Sequence, residues 1–177
     1  MLLVKFFHDR NYAVNNINHK TLFKVQSDPN FISAEGDLAY IQIRLYDAFY
    51  LMPHEQKFGA NVQLSNDYRG VSGNSFLIMS FLSPEQRENE RLSLKSNDIW
   101  AIGVMALYLY RAGRTLEKPP QYNQIPQLIT QETAQRYLLS QKNHMDPLTY
   151  KLISRCLVFR NCTIEDIYQI KELQELF

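Results

Sequence analysis

The longest apolar stretch of the chain covers residues 99–110, with no charged or amide side chain in it. Its twelve residues are too few to cross a bilayer, which takes ~20. A helix that is apolar on every side has to be enclosed by other protein. Ser96, Asn97 and Asp98 stand ahead of it, and each can accept a hydrogen bond from a free helix N–H. Arg111 and Gly113 follow it, the first favourable at a negative helix end, the second suited to a left-handed exit. The pattern predicts a central, fully buried helix with a polar cap.

Other periodicities place weaker elements around it. Leu2, Leu3, Phe6 and Phe7 fall at helical spacing and predict a short helix over residues 1–9. Residues 12–21 read as a polar loop. Residues 22–25 read as a strand, and the alternation over 39–46 supplies its hairpin partner. Asp28-Pro29-Asn30 and Glu35-Gly36-Asp37 between them are turn chemistry. Residues 47–75 carry no clear period, and a stretch that long without an element is usually functional or disordered. Ser83-Pro84 opens a helix, with Gln86 placed to close a capping box. Residues 130–141 predict another helix, with Ala134, Tyr137, Leu138 and Leu139 as its apolar positions. Asp146-Pro147 opens the next, striped by Leu148, Leu152, Ile153, Cys156 and Leu157. Thr163 opens the last, striped by Ile164, Ile167, Ile170, Leu173, Leu176 and Phe177. The fold class is mainly α, with one small hairpin near the N-terminus.

Composition narrows the function classes. A chain of 177 residues, 45% hydrophobic and 21% charged, fits one globular domain. A net charge of +1 excludes a nucleic-acid or membrane-surface binder driven by bulk electrostatics. Cys156 and Cys162 form no C-x-x-C pair, so neither a disulfide framework nor a zinc site is signalled. His8, His54 and His144 lack metal spacing, and His19 has no evident nucleophile or orienting acid. The apolar opening is too short for a signal-peptide core, which points to a cytoplasmic chain.

The order of these signals resembles the C-terminal lobe of the protein kinase superfamily. Asp98-x-Trp100-Ala101-x-Gly103 is similar to the family's D-x-W-[SA]-x-G, and Ser83-Pro84-Glu85, thirteen residues ahead of Asp98, resembles A-P-E. Tyr46-Asp47-Ala48-Phe49 follows the second strand where the family has D-F-G. Residues 14–21 stand where the family has H-R-D-L-x-x-x-x-N. Ile153-x-x-Cys156-Leu157 and Arg160-x-x-Thr163 resemble the segment that closes the lobe.

The resemblance implies a C-lobe without its catalytic equipment. The chain holds no G-x-G-x-x-G stretch to cover phosphates and no strand Lys paired to a helix Glu. Val14, Asn15 and Asn16 replace the family's His, Arg and catalytic Asp, Asn18 replaces its Lys, and Thr21 its metal-binding Asn. An Asn amide cannot accept the proton of a substrate hydroxyl, and loss of a positioned base costs ~10²–10⁴-fold in rate. Asp47 stays as a weak candidate metal ligand, since one carboxylate makes a poor Mg²⁺ site. Productive binding of ATP and Mg²⁺ is therefore not expected.

What the resemblance keeps is structural. Asp98 would accept backbone N–H bonds from the degenerate loop near Val14 and Asn15, and Trp100 and Gly103 would lie in the core. Pro84 and Glu85 would open the A-P-E helix, with Glu85 paired to Arg160. Tyr68, Ser72 and Ser75 are candidate phosphorylation sites, a polar loop being the plainer reading. The expected organisation is one domain over 1–177. A truncated first helix, degenerate loop and hairpin fill 1–46, an activation-loop equivalent 47–82, and a helical subdomain 83–177.

The expected function is an inactive, pseudokinase-like interaction or scaffold module. Its partner would be a protein, a kinase-like N-lobe or another, reached through apolar surface near Leu3, Phe6 and Phe7; neither nucleic acid nor membrane is expected. Three alternatives stand beside it: a fragment of a longer kinase-like gene product, a divergent enzyme acting on nucleotides, and an unrelated helical domain.

Overall fold

The computed structural model describes residues 2–15, 17, 22–25, 42–45, 51–59, 81–89, 91–114, 130–159 and 161–170. Within them the chain is mainly helical. Helix α1 is Leu2–His8 and strand β1 is Tyr12–Ala13, followed by β2 at Leu22–Val25, β3 at Gln42–Leu45 and β4 at Met52–Pro53. Helix α2 is Pro84–Glu88, α3 Lys95–Arg114, α4 Gln131–Gln141, α5 Pro147–Val158 and α6 Ile164–Tyr168. A single 3₁₀ turn, Lys142–His144, joins α4 to α5. No helix among the described residues is long and apolar enough to cross a membrane.

Two antiparallel pairs sit at the N-terminal side. β2 and β3 form the expected hairpin ladder, with Leu22 opposite Leu45 and Val25 opposite Gln42. β1 pairs with β4, Tyr12 opposite Pro53 and Ala13 opposite Met52, inside stretches that the sequence reads as loop. Two residues a side carry no readable period, so only their hydrogen bonds could have shown them.

Helix α3 is central, packed chiefly on α5 and also against β1 and α2. α5 in turn carries α4 and α6, and α1 lies against β1 and α6. Ile99, Trp100, Ala101, Val104 and Leu107 are buried on α3, facing a core that includes Val14, Phe81, Ile153 and Leu157. Gly103 sits at the crossing with α5. A Cβ placed there would lie 2.6 Å from Cys156 Cβ and 2.7 Å from Leu157 Cδ2, so the two backbones approach as closely as a missing side chain permits.

The central helix departs from its sequence reading in three ways. It starts at Lys95, so Ser96, Asn97 and Asp98 lie in its first turn rather than ahead of it. It runs to Arg114, which leaves Gly113 inside the helix rather than at its exit. Nor is it enclosed all round, because Leu109 is 57% exposed. An apolar run marks which residues tolerate burial; how many neighbours surround each turn is settled elsewhere in the chain.

α1 shows the same limit. Its buried residues are Val4 and His8, with Phe7 half-buried, while Leu3 and Phe6 are exposed. Two helical stripes are available in seven residues, and the one containing histidine wins because that histidine has a buried partner. The later helices follow their caps. Thr130 and Thr163 each form a reciprocal capping box, and Asp146 Oδ1 accepts from Thr149 N–H at 2.8 Å. On α4, Ala134 and Leu138 are buried, but Leu139 is 58% exposed, outside the stripe assigned to it. On α5 the stripe holds, with Ile153, Cys156 and Leu157 buried. Ile164, Ile167 and Ile170 are buried at α6, and Leu173, Leu176 and Phe177 fall outside the described residues.

Candidate functional site

The first turn of α3 meets the loop after β1 in a buried polar cluster. Asp98 is fully buried, and its Oδ1 accepts from Asn15 N–H at 2.7 Å. Its Oδ2 accepts from Val14 N–H at 2.7 Å and from His8 Nε2 at 2.9 Å. A carboxylate removed from water is costly unless such donors replace its hydration, and here three do. The donors come from positions 83 to 90 residues earlier in the chain. Asp98 thereby ties α1, the loop after β1 and α3 together.

Asn15 is the second hub. It is fully buried with φ at 61°, the left-handed region that asparagine enters more readily than most residues. Its Nδ2 donates to Ala13 O at 3.1 Å and to Ser93 Oγ at 2.8 Å, and its Oδ1 accepts from Leu94 N–H at 3.1 Å. Its backbone oxygen accepts from Asn97 Nδ2 at 3.4 Å. Backbone and side chain of one residue thus fasten the loop to the segment that launches α3. Asn97 Oδ1 also accepts from Ser83 N–H at 2.9 Å, drawing in the start of α2.

That last bond changes the cap of α2. Ser83 Oγ accepts from Gln86 N–H at 3.0 Å as a helix cap should, with Pro84 in the first turn. The reciprocal half of the capping box is absent, because Gln86 Nε2 donates to Asn89 O and Leu92 O instead. Asn97 has taken the Ser83 N–H that a capping Gln would have accepted. Glu85 is half-exposed and lines a cleft with Asn161; Arg160, its expected partner, lies outside the described residues.

Trp100 and Val14 are in the core, at 3% and 1% exposure. Asn16, Asn18, Thr21, Asp47, His19, Tyr68, Ser72 and Ser75 all lie outside the described residues. The residues that sequence reasoning missed are His8 and Ser93, and Asn97, read there as a helix cap, instead bonds Ser83 and Asn15. A lone histidine at the end of a short helix and a serine between two leucines carry no period and no motif. Only His8's place four residues after Val4 hints at the buried face.

Beside the cluster, a cleft of about 390 Å³ opens between α1, the turn after β4 and the starts of α3 and α6. Among the described residues no three His, Cys, Asp or Glu side chains are grouped to hold a metal ion. Burial pushes the Cys162 thiol beside this cleft up to about 11, with the nearby Asp166 carboxylate adding to the shift, so it stays protonated at neutral pH. Cys156, buried in the α3–α5 contact, is raised further by burial. Both thiols are thus held in the protonated, less nucleophilic form at neutral pH.

Comparison with protein-family models, with curated proteins and with solved structures finds no match to this chain.

Proposed function

We propose that the chain is a catalytically inactive, protein-kinase-like interaction module. The observation that carries the reading is the Asp98 carboxylate taking the consecutive N–H groups of Val14 and Asn15 at 2.7 Å each. Those are the two contacts that the D-x-W resemblance assigns to the Asp that opens the buried helix. Pro84 in the first turn of α2, Trp100 in the core and Gly103 at the tightest helix crossing are in keeping with the same pattern.

The chemistry of the loop argues for inactivity. Val14 is a core residue, and the Asn15 side chain is engaged by Ala13, Ser93 and Leu94. Position 16 is an Asn with no proton affinity to offer a substrate hydroxyl. The exposed Leu3 and Phe6 on α1 support a protein-binding role, and they suit a longer kinase-like gene product equally.

The test is thermal unfolding of the intact chain with ATP and either Mg²⁺ or Mn²⁺, beside a phosphate-transfer assay. A nucleotide present at a hundred times its Kd would add ~2.7 kcal/mol of stability. The expected result is no shift at millimolar nucleotide and no transfer. A saturable shift with transfer to any acceptor overturns inactivity. For the interaction arm, Leu3→Asp with Phe6→Asp abolishes co-purification of a stoichiometric partner from the native cells while leaving the unfolding temperature unchanged. Retention of that partner by the double variant removes α1 from the interface.

A further inference from the structure

The cleft beside Asp98 contains a polarity that packing does not require. His8 Nε2 lies 2.9 Å from Asp98 Oδ2, and a carboxylate there can only accept, so Nε2 carries the proton. In the neutral ring Nδ1 then keeps its lone pair. The side chain is 5% exposed, it forms part of the cleft wall, and no described residue hydrogen-bonds Nδ1. The neutral ring thus presents an acceptor held in fixed orientation by a buried carboxylate, next to open space.

The other groups around that space are mostly donors. Lys95 makes no ion pair among the described residues. Ser96 and Asn161 add a hydroxyl and an amide. His54 Nδ1 sits between Ser93 O at 3.3 Å and Lys95 N–H at 3.4 Å, and it is spent on these backbone groups. The cleft's carboxylate, Glu165, is drawn to Lys5 at 3.3 Å, and Cys162 is a neutral thiol. One lone pair and several donors, one of them a full cation, suit a ligand with acceptor oxygens, negative charge and one acidic O–H. Monoprotonated phosphate has all three at neutral pH. Sulfate has no proton to give, and a carboxylate has neither the proton nor the third oxygen.

We propose that this cleft binds inorganic phosphate in its monoprotonated form, its acidic O–H shared with His8 Nδ1 and its charge held by Lys95. The inference is independent of the kinase-like reading. The test uses the intact chain labelled on its histidine rings with ¹⁵N, titrated near neutral pH with inorganic phosphate, phenyl phosphate and sulfate in parallel. Expected is a saturable shift of His8 Nδ1 with phosphate. Sulfate binding is weaker by about tenfold or more, the worth of one charge-assisted hydrogen bond. Lys95→Met weakens phosphate by a similar factor without altering the fold. Phenyl phosphate, mainly the proton-free dianion at this pH, binds as weakly as sulfate. The proposal is overturned if His8 Nδ1 does not move with inorganic phosphate, if sulfate or phenyl phosphate matches it, or if Lys95→Met titrates like the parent chain.

Discussion

The two ends of α3 are held by different physics. Its first turn is fixed by directional bonds, since Asn97 and Asp98 reach across 82 to 90 residues of chain to His8, Val14 and Asn15. Its middle is fixed by shape, where Gly103 lets α5 close to contact and Val104 and Leu107 are fully buried. Its far end is looser, with Leu109 exposed and Arg111 donating to the half-buried Tyr137 hydroxyl at 2.8 Å. Polar bonds fail as a unit because each lost partner strands another in the interior. Apolar contacts fail in proportion to the volume changed.

Substitutions along these regions can break that contrast. Asp98→Ala strands two backbone N–H groups and a buried imidazole, and unfolding in denaturant is expected to show a loss of about 3–5 kcal/mol. Asn15→Gly keeps the left-handed backbone but removes the side-chain bonds to Ala13, Ser93 and Leu94, with an expected loss of about 2–3 kcal/mol. Combined with Asp98→Ala it should cost clearly less than the two separate losses together. Additive losses in that cycle would show that the cluster is not one unit.

Gly103→Ala tests the shape-fixed middle. It drives a Cβ to 2.6 Å from Cys156 Cβ and should cost about 1–3 kcal/mol as overpacking. A neutral result would mean that α5 slides freely against α3, against the tight crossing described.

Local caps rank lower. Thr163→Ala removes one capping box and should cost about 1 kcal/mol. It should also flatten the acid limb of the stability profile. Hydrogen bonds from the Thr163 backbone and side chain hold the Asp166 carboxyl below the usual carboxylate range. The stability this group contributes is therefore present above its unfolded-state value and lost as pH falls through the lower folded one. Asp146, held down chiefly by Thr149, behaves the same way and remains as an internal reference. Leu109→Gln, at the open end of α3, should change stability by no more than about 0.5 kcal/mol. A large loss there would show that the exposed face is covered in solution.

Much of the helical framework was legible in the residue pattern, for reasons that are local. Thr130, Asp146 and Thr163 announce helix starts because their side chains accept N–H groups two or three residues on. The stripe Ile153, Cys156 and Leu157 repeats at the helical period. The polar cluster was legible only in part. Asp98 and its loop could be paired through a resemblance and Asn97 read as a cap, whereas His8 and Ser93 gave no signal.

By itself, the sequence determined that an apolar rod would be flanked by capped helices. Only the tertiary structure decided which stripe of α1 turned inward, where α3 began, and that Gln86 would yield the Ser83 N–H to Asn97. Helix and cap signals act over three or four residues and are written in neighbouring side chains. A buried donor can be satisfied by any acceptor the fold brings near, so such pairs leave no spacing to read.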